Sequence, residues 1–328
     1  VEIGEIAGVE VARPATLEHM KRTSHSKCEC FMGCPLMGYF KYIASEEPEP
    51  KMKDYAFIGS YTHISIEKFF EKYAQEGFCD INELIYPQEH FTHTMNEIYR
   101  ENSDKIIDAN DDEAIVLCLN NFIDFMVRRW LYLTKLNMLD CFLPIAVEAE
   151  YEKIINGVPL HGFLDATFKD VKVWRFDWKT NKDTSKISPE YIKQGTRYVL
   201  LTEDEPEFQR GDMDMNDEFF IINLRKTVDL SKARVIITPE MKKEQEIELR
   251  QAWDLMSGTH FPKTSGKCNF FCEYKMLCKK YPKEGVTLVK RTIVDAEFTE
   301  VTEITTSPED VSEYVNEEVN ESSCDAWL

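Results

Sequence analysis

Two short runs carry the most chemistry in this sequence: Gly162-Phe-Leu-Asp165, and then Asp177-Trp-Lys179. On a strand, side chains alternate between faces. Asp177 and Lys179 therefore share one face, with Val171, Val173 and Arg175 behind them, while Trp174, Phe176 and Trp178 point into a core. The turn around Lys169–Lys172 is short enough to make the Asp165 strand a hairpin neighbour. Two carboxylates and an ammonium then converge at one end of a sheet. Paired carboxylates hold Mg²⁺ or Mn²⁺ through hard oxygen ligands. Such an ion polarises a phosphate and lowers the pKa of a bound water. A neighbouring Lys can orient that water or stabilise developing charge. D-x-K has little weight alone, because charged residues form 30% of the chain and a surface ion pair on a hairpin reads the same way.

A second set of chemically capable residues is the cysteines. There are ten, and they do not spread as a disulfide framework. Cys268, Cys272 and Cys278 cluster late, while Cys28, Cys30 and Cys34 cluster early. Clustered Cys in an intracellular chain argues for a metal or cluster site. Four thiolates can hold an iron–sulfur cluster or zinc. Cys79, Cys118 and Cys141 sit in apolar helical contexts and read as core.

These groups need elements to place them. IGSYTHISIEKFFEKYAQEG reads as a helix carrying His63. The stretch from about 80 to 140 is mostly helical, and its strongest piece is DDEAIVLCLNNFIDFMVRRWLYLTKL, with an acidic start that suits a helix N-terminus. The texture changes near Ile145. VEAEYEKIING, VPLHGFLDATFKD and VKVWRFDWKT read as successive strands. SPEYIKQGTRYVLLTED reads as a helix opened by Ser188 and Pro189. It puts Gln194 and Tyr198 four apart on one face, with Lys193 and Arg197 as a stripe beside them. EFFIINLRK and ARVIITP are two more strands, and PEMKKEQEIELRQAWDLMSG is a charged amphipathic helix. The order predicts a mixed α/β core with a helical insertion.

Composition narrows the function classes. The 328 residues are 43% hydrophobic, enough for a core, and carry a formal net charge of −20. Eleven acids and no Lys or Arg fall between Thr292 and Leu328. More than half of the negative charge therefore belongs to that tail, which weakens the objection that an acidic protein avoids nucleic acid. No apolar run approaches the roughly 20 residues of a membrane span. The first residues lack the apolar segment of a signal peptide, so a cytoplasmic protein is expected.

The series His63, Gly162 to Asp165, Asp177 to Lys179, and Gln194 to Tyr198 resembles the RecB-like branch of the PD-(D/E)xK nucleases, over residues 24 to 280. The resemblance implies a restriction-endonuclease-like mixed sheet flanked by helices in a domain over 1–285. It implies metal binding by His63, Asp165 and Asp177, with the Trp178 carbonyl as a further ligand, and a catalytic Lys179. Gln194, Arg197 and Tyr198 would meet DNA. Glu148 and Glu150 both lie where some relatives carry an acid. One early and three late cysteines resemble the cluster-bearing members, among them AddB-type nuclease domains and CRISPR-associated exonucleases. By that likeness Cys34, Cys268, Cys272 and Cys278 hold a [4Fe–4S] cluster, with zinc as the alternative, stapling 28–34 to 268–278. The family opens its late triplet with two intervening residues, and this chain has three. The expected activity is Mg²⁺- or Mn²⁺-dependent hydrolysis of DNA, as an exonuclease on single-stranded ends under a helical cover formed by 80–140. The alternative is a catalytically silent nucleic-acid-binding or assembly subunit on the same fold. Residues 286–328 read as a disordered acidic tail, either solvating or docking a protein partner.

Overall fold

The computed structural model describes residues 22–46, 48, 56–76, 86–102, 109–181, 187–208, 217–264, 272–281, 284–291 and 300–304. In chain order the main elements are α1 (His25–Gly33), α2 (Pro35–Gly38), a π-helical turn (Tyr39–Ile43), α3 (Ala56–Glu76), α4 (Pro87–Asn102) and α5 (Ala109–Leu136). There follow β1 (Ala146–Ile155), β2 (Val158–Lys169), β3 (Val173–Lys179), α6 (Pro189–Thr202), β4 (Asp217–Asn223), α7 (Leu230–Ala233), β5 (Arg234–Ile237) and α8 (Pro239–Ser257). Last come β6 (His260–Phe261), α9 (Lys275–Cys278), β7 (Val286–Arg291) and β8 (Glu300–Ile304). The chain divides into two compact units, one from 52 to 247 and one built from both chain ends, 1–51 with 248–328.

The continuous unit is built on a five-stranded sheet in the order β1-β2-β3-β4-β5. Only β3 and β4 run parallel; the other neighbours are antiparallel. The β1–β2 hairpin turns at Asn156-Gly157, both with positive φ (49° and 76°), which is the two-residue turn that Asn-Gly favours. The β2–β3 hairpin closes through Asp170, whose backbone N–H donates to the Lys172 carbonyl.

One face of this sheet carries Phe168, Phe176 and Trp178, all buried, and α5 supplies the opposing rings. Phe122 meets Trp178 edge-on at 5.8 Å, and Phe125 meets Phe176 at 5.5 Å and 90°. Each such pair adds about 0.5–1.5 kcal/mol beyond the area it buries. These contacts correct the expected role of the 80–140 helices. The apolar stripe of α5 backs the sheet as a core layer.

Arg129 of α5 is buried in the same unit. It donates to the carbonyls of Phe142 and Cys141 and pairs with Asp170, whose side chain is fully buried, at 3.0 Å. The sheet's other face takes α6. Ser188 caps that helix by accepting from the Tyr191 N–H at 3.3 Å, and Pro189 occupies its first turn.

The discontinuous unit has its own aromatic core. Phe31, Leu36, Tyr39 and Phe40 from the early segment pack with Met256, Phe261, Tyr274, Tyr281 and Val286. Its three-stranded sheet runs β6-β7-β8, all antiparallel. Two of these strands lie in the stretch from 286 that reads as a disordered tail. VTLVKR and EVTEI alternate β-forming residues, and their register sets Arg291 opposite Glu300. Local pairing at the start of the stretch outweighs its overall acidity; 292–299 and 305–328 lie outside the described residues. Among the described residues no helix is long and apolar enough to cross a membrane.

Candidate active site

The site forms where β1, β2 and β3 meet α3 and α6. Its backbone begins with an interruption. Val147 pairs with Ala166 and Ala149 with Leu164, but Glu148 and Asp165, which face each other in that register, are left out of the ladder. Glu148 has φ 46°. A left-handed residue other than Gly inside a strand costs on the order of 1–3 kcal/mol, and such outliers cluster at functional sites. Here the distortion brings Glu148 Oε1 to 3.0 Å from His63 Nδ1. Glu150, two residues on, lies instead 3.5 Å from His161. Geometry thus separates two acids between which sequence alone does not choose.

His63 reaches over from α3. Its Nε2 lies 3.1 Å from the Trp178 carbonyl, and its Nδ1 is 3.7 Å from Asp165 Oδ1. With one nitrogen on a carboxylate and the other on a carbonyl, the ring donates from both sides as an imidazolium. Burial alone would lower its pKa, but the Glu148 hydrogen bond and the Asp165, Glu148 and Asp177 charges raise it to about 9. Asp165 is buried, and its Oδ2 accepts from the Trp178 N–H. Burial, and then the Asp177 charge, push its pKa upward.

Asp177 and Lys179 lie on the α6 side. Lys179 Nζ is 2.7 Å from Asp177 Oδ2 and donates to Gln194 Oε1 at 3.1 Å. Gln194 Nε2 sits within donating distance of Asp177 Oδ1 (3.1 Å) and of the Tyr198 hydroxyl (3.2 Å). Burial alone would lower the Lys179 pKa; the Asp177 charge and contact outweigh it and raise it, so the amine stays an ammonium. Two glycines let α6 come this close. A Cβ on Gly162 would lie 2.7 Å from Tyr198 Cε1, and one on Gly195 would lie 2.7 Å from Phe219 Cδ1.

The residues expected from the sequence therefore fall into two adjoining groups. His63, Glu148 and Asp165 offer ligand atoms within 4.8 Å of one another, with the Trp178 carbonyl beside them. Asp177, Lys179, Gln194 and Tyr198 form a hydrogen-bonded group. Three carboxyl groups, Asp165 among them with its pKa pushed up, face His63 and the Lys179 ammonium, and a divalent cation that displaces the protons on Asp165 and His63 would offset the negative charge so released. An imidazole with oxygen donors fits Mn²⁺ or Mg²⁺ chemistry.

Arg197 does not join them. It is 1% exposed, packed between helix and sheet, and its guanidinium is not available for the expected phosphate contact. It precedes Tyr198 by one residue, a rotation of about 100° that takes it off the stripe carrying Gln194 and Tyr198. Sequence reasoning also passed over Tyr191. Its ring lies 4.9 Å from Lys179 Nζ, and the signal was its position three residues before Gln194.

The early and late cysteines belong to the discontinuous unit, and Cys118 to α5. Cys34, Cys272 and Cys278 border one aromatic core, and Cys268 lies outside the described residues. Cys30 is buried and feels the charges of Cys34 and Cys272; burial first, then those neighbours, hold its thiol up at about 12 despite Lys41. Cys28 and Cys118 are fully buried.

The sequence profile of the PD-(D/E)XK nuclease superfamily matches residues 22–279, and the chain belongs to that superfamily. It is therefore a nuclease by class, with nucleic acid as its substrate class. Among solved structures of similar shape is a protein from Eubacterium rectale provisionally called an exonuclease. It is 11% identical, with a TM-score of 0.44, and the match covers 86% of this chain and 95% of that one. A search of curated proteins finds no match.

Proposed function

We propose that the chain is a Mg²⁺- or Mn²⁺-dependent deoxyribonuclease that hydrolyses phosphodiester bonds as an exonuclease on single-stranded DNA ends. The observation that carries the hydrolytic reading is the adjacency of the His63–Glu148–Asp165 ligand group and the Asp177–Lys179–Gln194 group across one strand pair. The preference for single-stranded ends rests on the RecB-like resemblance of His63, Gly162–Asp165, Asp177–Lys179 and Gln194–Tyr198.

In this reading His63, Glu148, Asp165 and Asp177 would hold the ion, His63 after giving up the proton on one ring nitrogen, with the Trp178 carbonyl adjacent. The bound ion supplies a water of lowered pKa and neutralises phosphate charge. The chain's own groups do the rest. Lys179, kept protonated, would donate a hydrogen bond to a phosphoryl oxygen, where charge grows as the water oxygen bonds to phosphorus and the old P–O bond breaks; the water's proton passes to solvent, and the departing oxygen takes one up from it. Gln194 fixes both Lys179 and Asp177, so the ammonium is oriented before substrate arrives. Tyr198 fixes Gln194 in turn.

Cys34, Cys268, Cys272 and Cys278 are proposed to hold a [4Fe–4S] cluster, with zinc as the alternative occupant. Soft thiolates suit both, and the group would act as a structural staple. Three of these thiols border the core that the two chain ends build together.

The test is purified protein with Mn²⁺ or Mg²⁺ on end-labelled single-stranded, double-stranded and circular DNA. Progressive shortening of linear single strands, with circles intact, is expected. Nicked circles would make it an endonuclease, and no cleavage with any metal would make it a silent binding subunit.

A further inference from the structure

We infer that Tyr191 is a positioning residue that holds the Lys179 ammonium in place with its ring face. The inference deepens the reading of Lys179 given above and rests on it.

Lys179 ends β3 on a flexible stem of four methylenes. Two of its donors are engaged, by Asp177 Oδ2 at 2.7 Å and Gln194 Oε1 at 3.1 Å. Both contacts are side chains that have other partners, and Asp177 is itself expected to hold the ion. The Tyr191 ring, with its centroid 4.9 Å from Nζ, is a third contact of a different kind. A ring face attracts a cation through its quadrupole and carries no net charge. A second carboxylate in that place would hold the amine as well, but would cancel the positive charge that the phosphoryl oxygens require. The ring restrains the ammonium and leaves its charge available.

Tyr191 is built to stay put. Its backbone N–H is capped by Ser188 Oγ at the start of α6, and its hydroxyl contacts the Asn181 side chain. The Asn181 backbone carbonyl in turn accepts from the Asn223 side-chain amide. Tyr191, Gln194 and Tyr198, at i, i+3 and i+7, thus form one stripe of α6 turned toward the carboxylates.

The experiment compares Tyr191→Phe, Tyr191→Leu and Lys179→Met in the full chain with Mn²⁺ and labelled single-stranded DNA. Tyr191→Phe keeps the ring and should retain at least half of the wild-type kcat. Tyr191→Leu should lower kcat roughly 5- to 30-fold with KM within about twofold, because the ring touches the ammonium and not the substrate. Equal losses in Phe and Leu would overturn the inference in favour of the hydroxyl. A rise in KM alone would make Tyr191 a substrate contact, and an unchanged kcat in Tyr191→Leu would leave it without a role.

A double-mutant cycle on urea stability reads the contact without activity. The Tyr191→Leu and Lys179→Met changes should be coupled about three- to tenfold in the unfolding equilibrium constant. Additive effects would overturn the inference. Wild-type cleavage by Lys179→Met would instead refute the reading of Lys179 itself.

Discussion

Gly162→Ala puts a single methyl group into a close contact between α6 and the sheet. The added Cβ would stand 2.7 Å from Tyr198 Cε1 and 3.2 Å from Leu201 Cδ1. Ordinary contact begins at 3.4 Å, so the ring or the helix must withdraw by about 0.7 Å or more. Overpacking of this kind costs about 1–3 kcal/mol. The loss of glycine's freedom in the unfolded chain returns about 0.4–1 kcal/mol, since the position needs no left-handed backbone. A net loss of about 1–2 kcal/mol follows, readable as a lower urea midpoint at constant slope. The effect on cleavage should be larger than the effect on stability. Tyr198 orients Gln194, and Gln194 orients both Asp177 and Lys179. Misplacement of a catalytic group by about 1 Å can cost on the order of a hundredfold. Single-turnover cleavage of labelled DNA under saturating Mn²⁺ should therefore slow by about tenfold or more while the variant remains folded. Gly33→Ala is the control. Nothing lies within 4 Å of its added Cβ at the end of α1, so it should leave cleavage unchanged and stabilise slightly. A Gly162→Ala variant with wild-type midpoint and rate would refute both the packing argument and the relay through Tyr198.

Other perturbations separate the parts of the site. Asp177→Ala and Lys179→Ala should abolish cleavage with the fold intact by circular dichroism, whereas Glu190→Ala, in the first turn of α6, should leave the rate near wild type. Glu148→Ala should weaken Mn²⁺ binding by calorimetry at least about tenfold, and Glu150→Ala should not, since only Glu148 reaches His63. Arg129→Met should cost about 3–5 kcal/mol by urea denaturation, because it leaves the buried Asp170 carboxylate without its cation, held by the Trp174 and Lys172 N–H groups; a loss below about 1 kcal/mol would mean that these donors suffice. Anaerobically purified protein should contain iron and acid-labile sulfide, and Cys272→Ser should lose both together with thermal stability. Colourless protein with one zinc per chain would move the assignment to zinc.

Much of this was legible from residue pattern. Alternation along Val173–Lys179 placed Asp177 and Lys179 on one face and the rings on the other, and Ser188-Pro189 marked the start of α6. What escaped depends on backbone conformation or on three-dimensional company. Nothing in VEAEYE marks Glu148 as left-handed, because no Gly stands there, so Glu148 and Glu150 look alike until the ladder breaks at one of them. Arg197 is charged and belongs to an evident surface stripe, yet the helix rotates it into the interior, where charged residues are uncommon. β7 and β8 escaped because the average acidity of the whole stretch masked two short segments of β-forming residues near its start.

The aromatic core shared by the two chain ends has a consequence for biosynthesis. Phe31 packs with partners such as Phe261, which the ribosome adds 230 residues later. At about 5–20 residues per second, that interval is roughly 10–45 s. During that time the early run of Phe31, Leu36, Tyr39 and Phe40 has emerged without the segment that covers it. Residues 52–247 are contiguous, so their sheet and helices can assemble in the meantime. The nascent chain thus carries a sticky leading segment ahead of an already foldable body. Such a segment is a natural client for a holding chaperone, and expression that outpaces chaperone supply should yield aggregates nucleated at that segment.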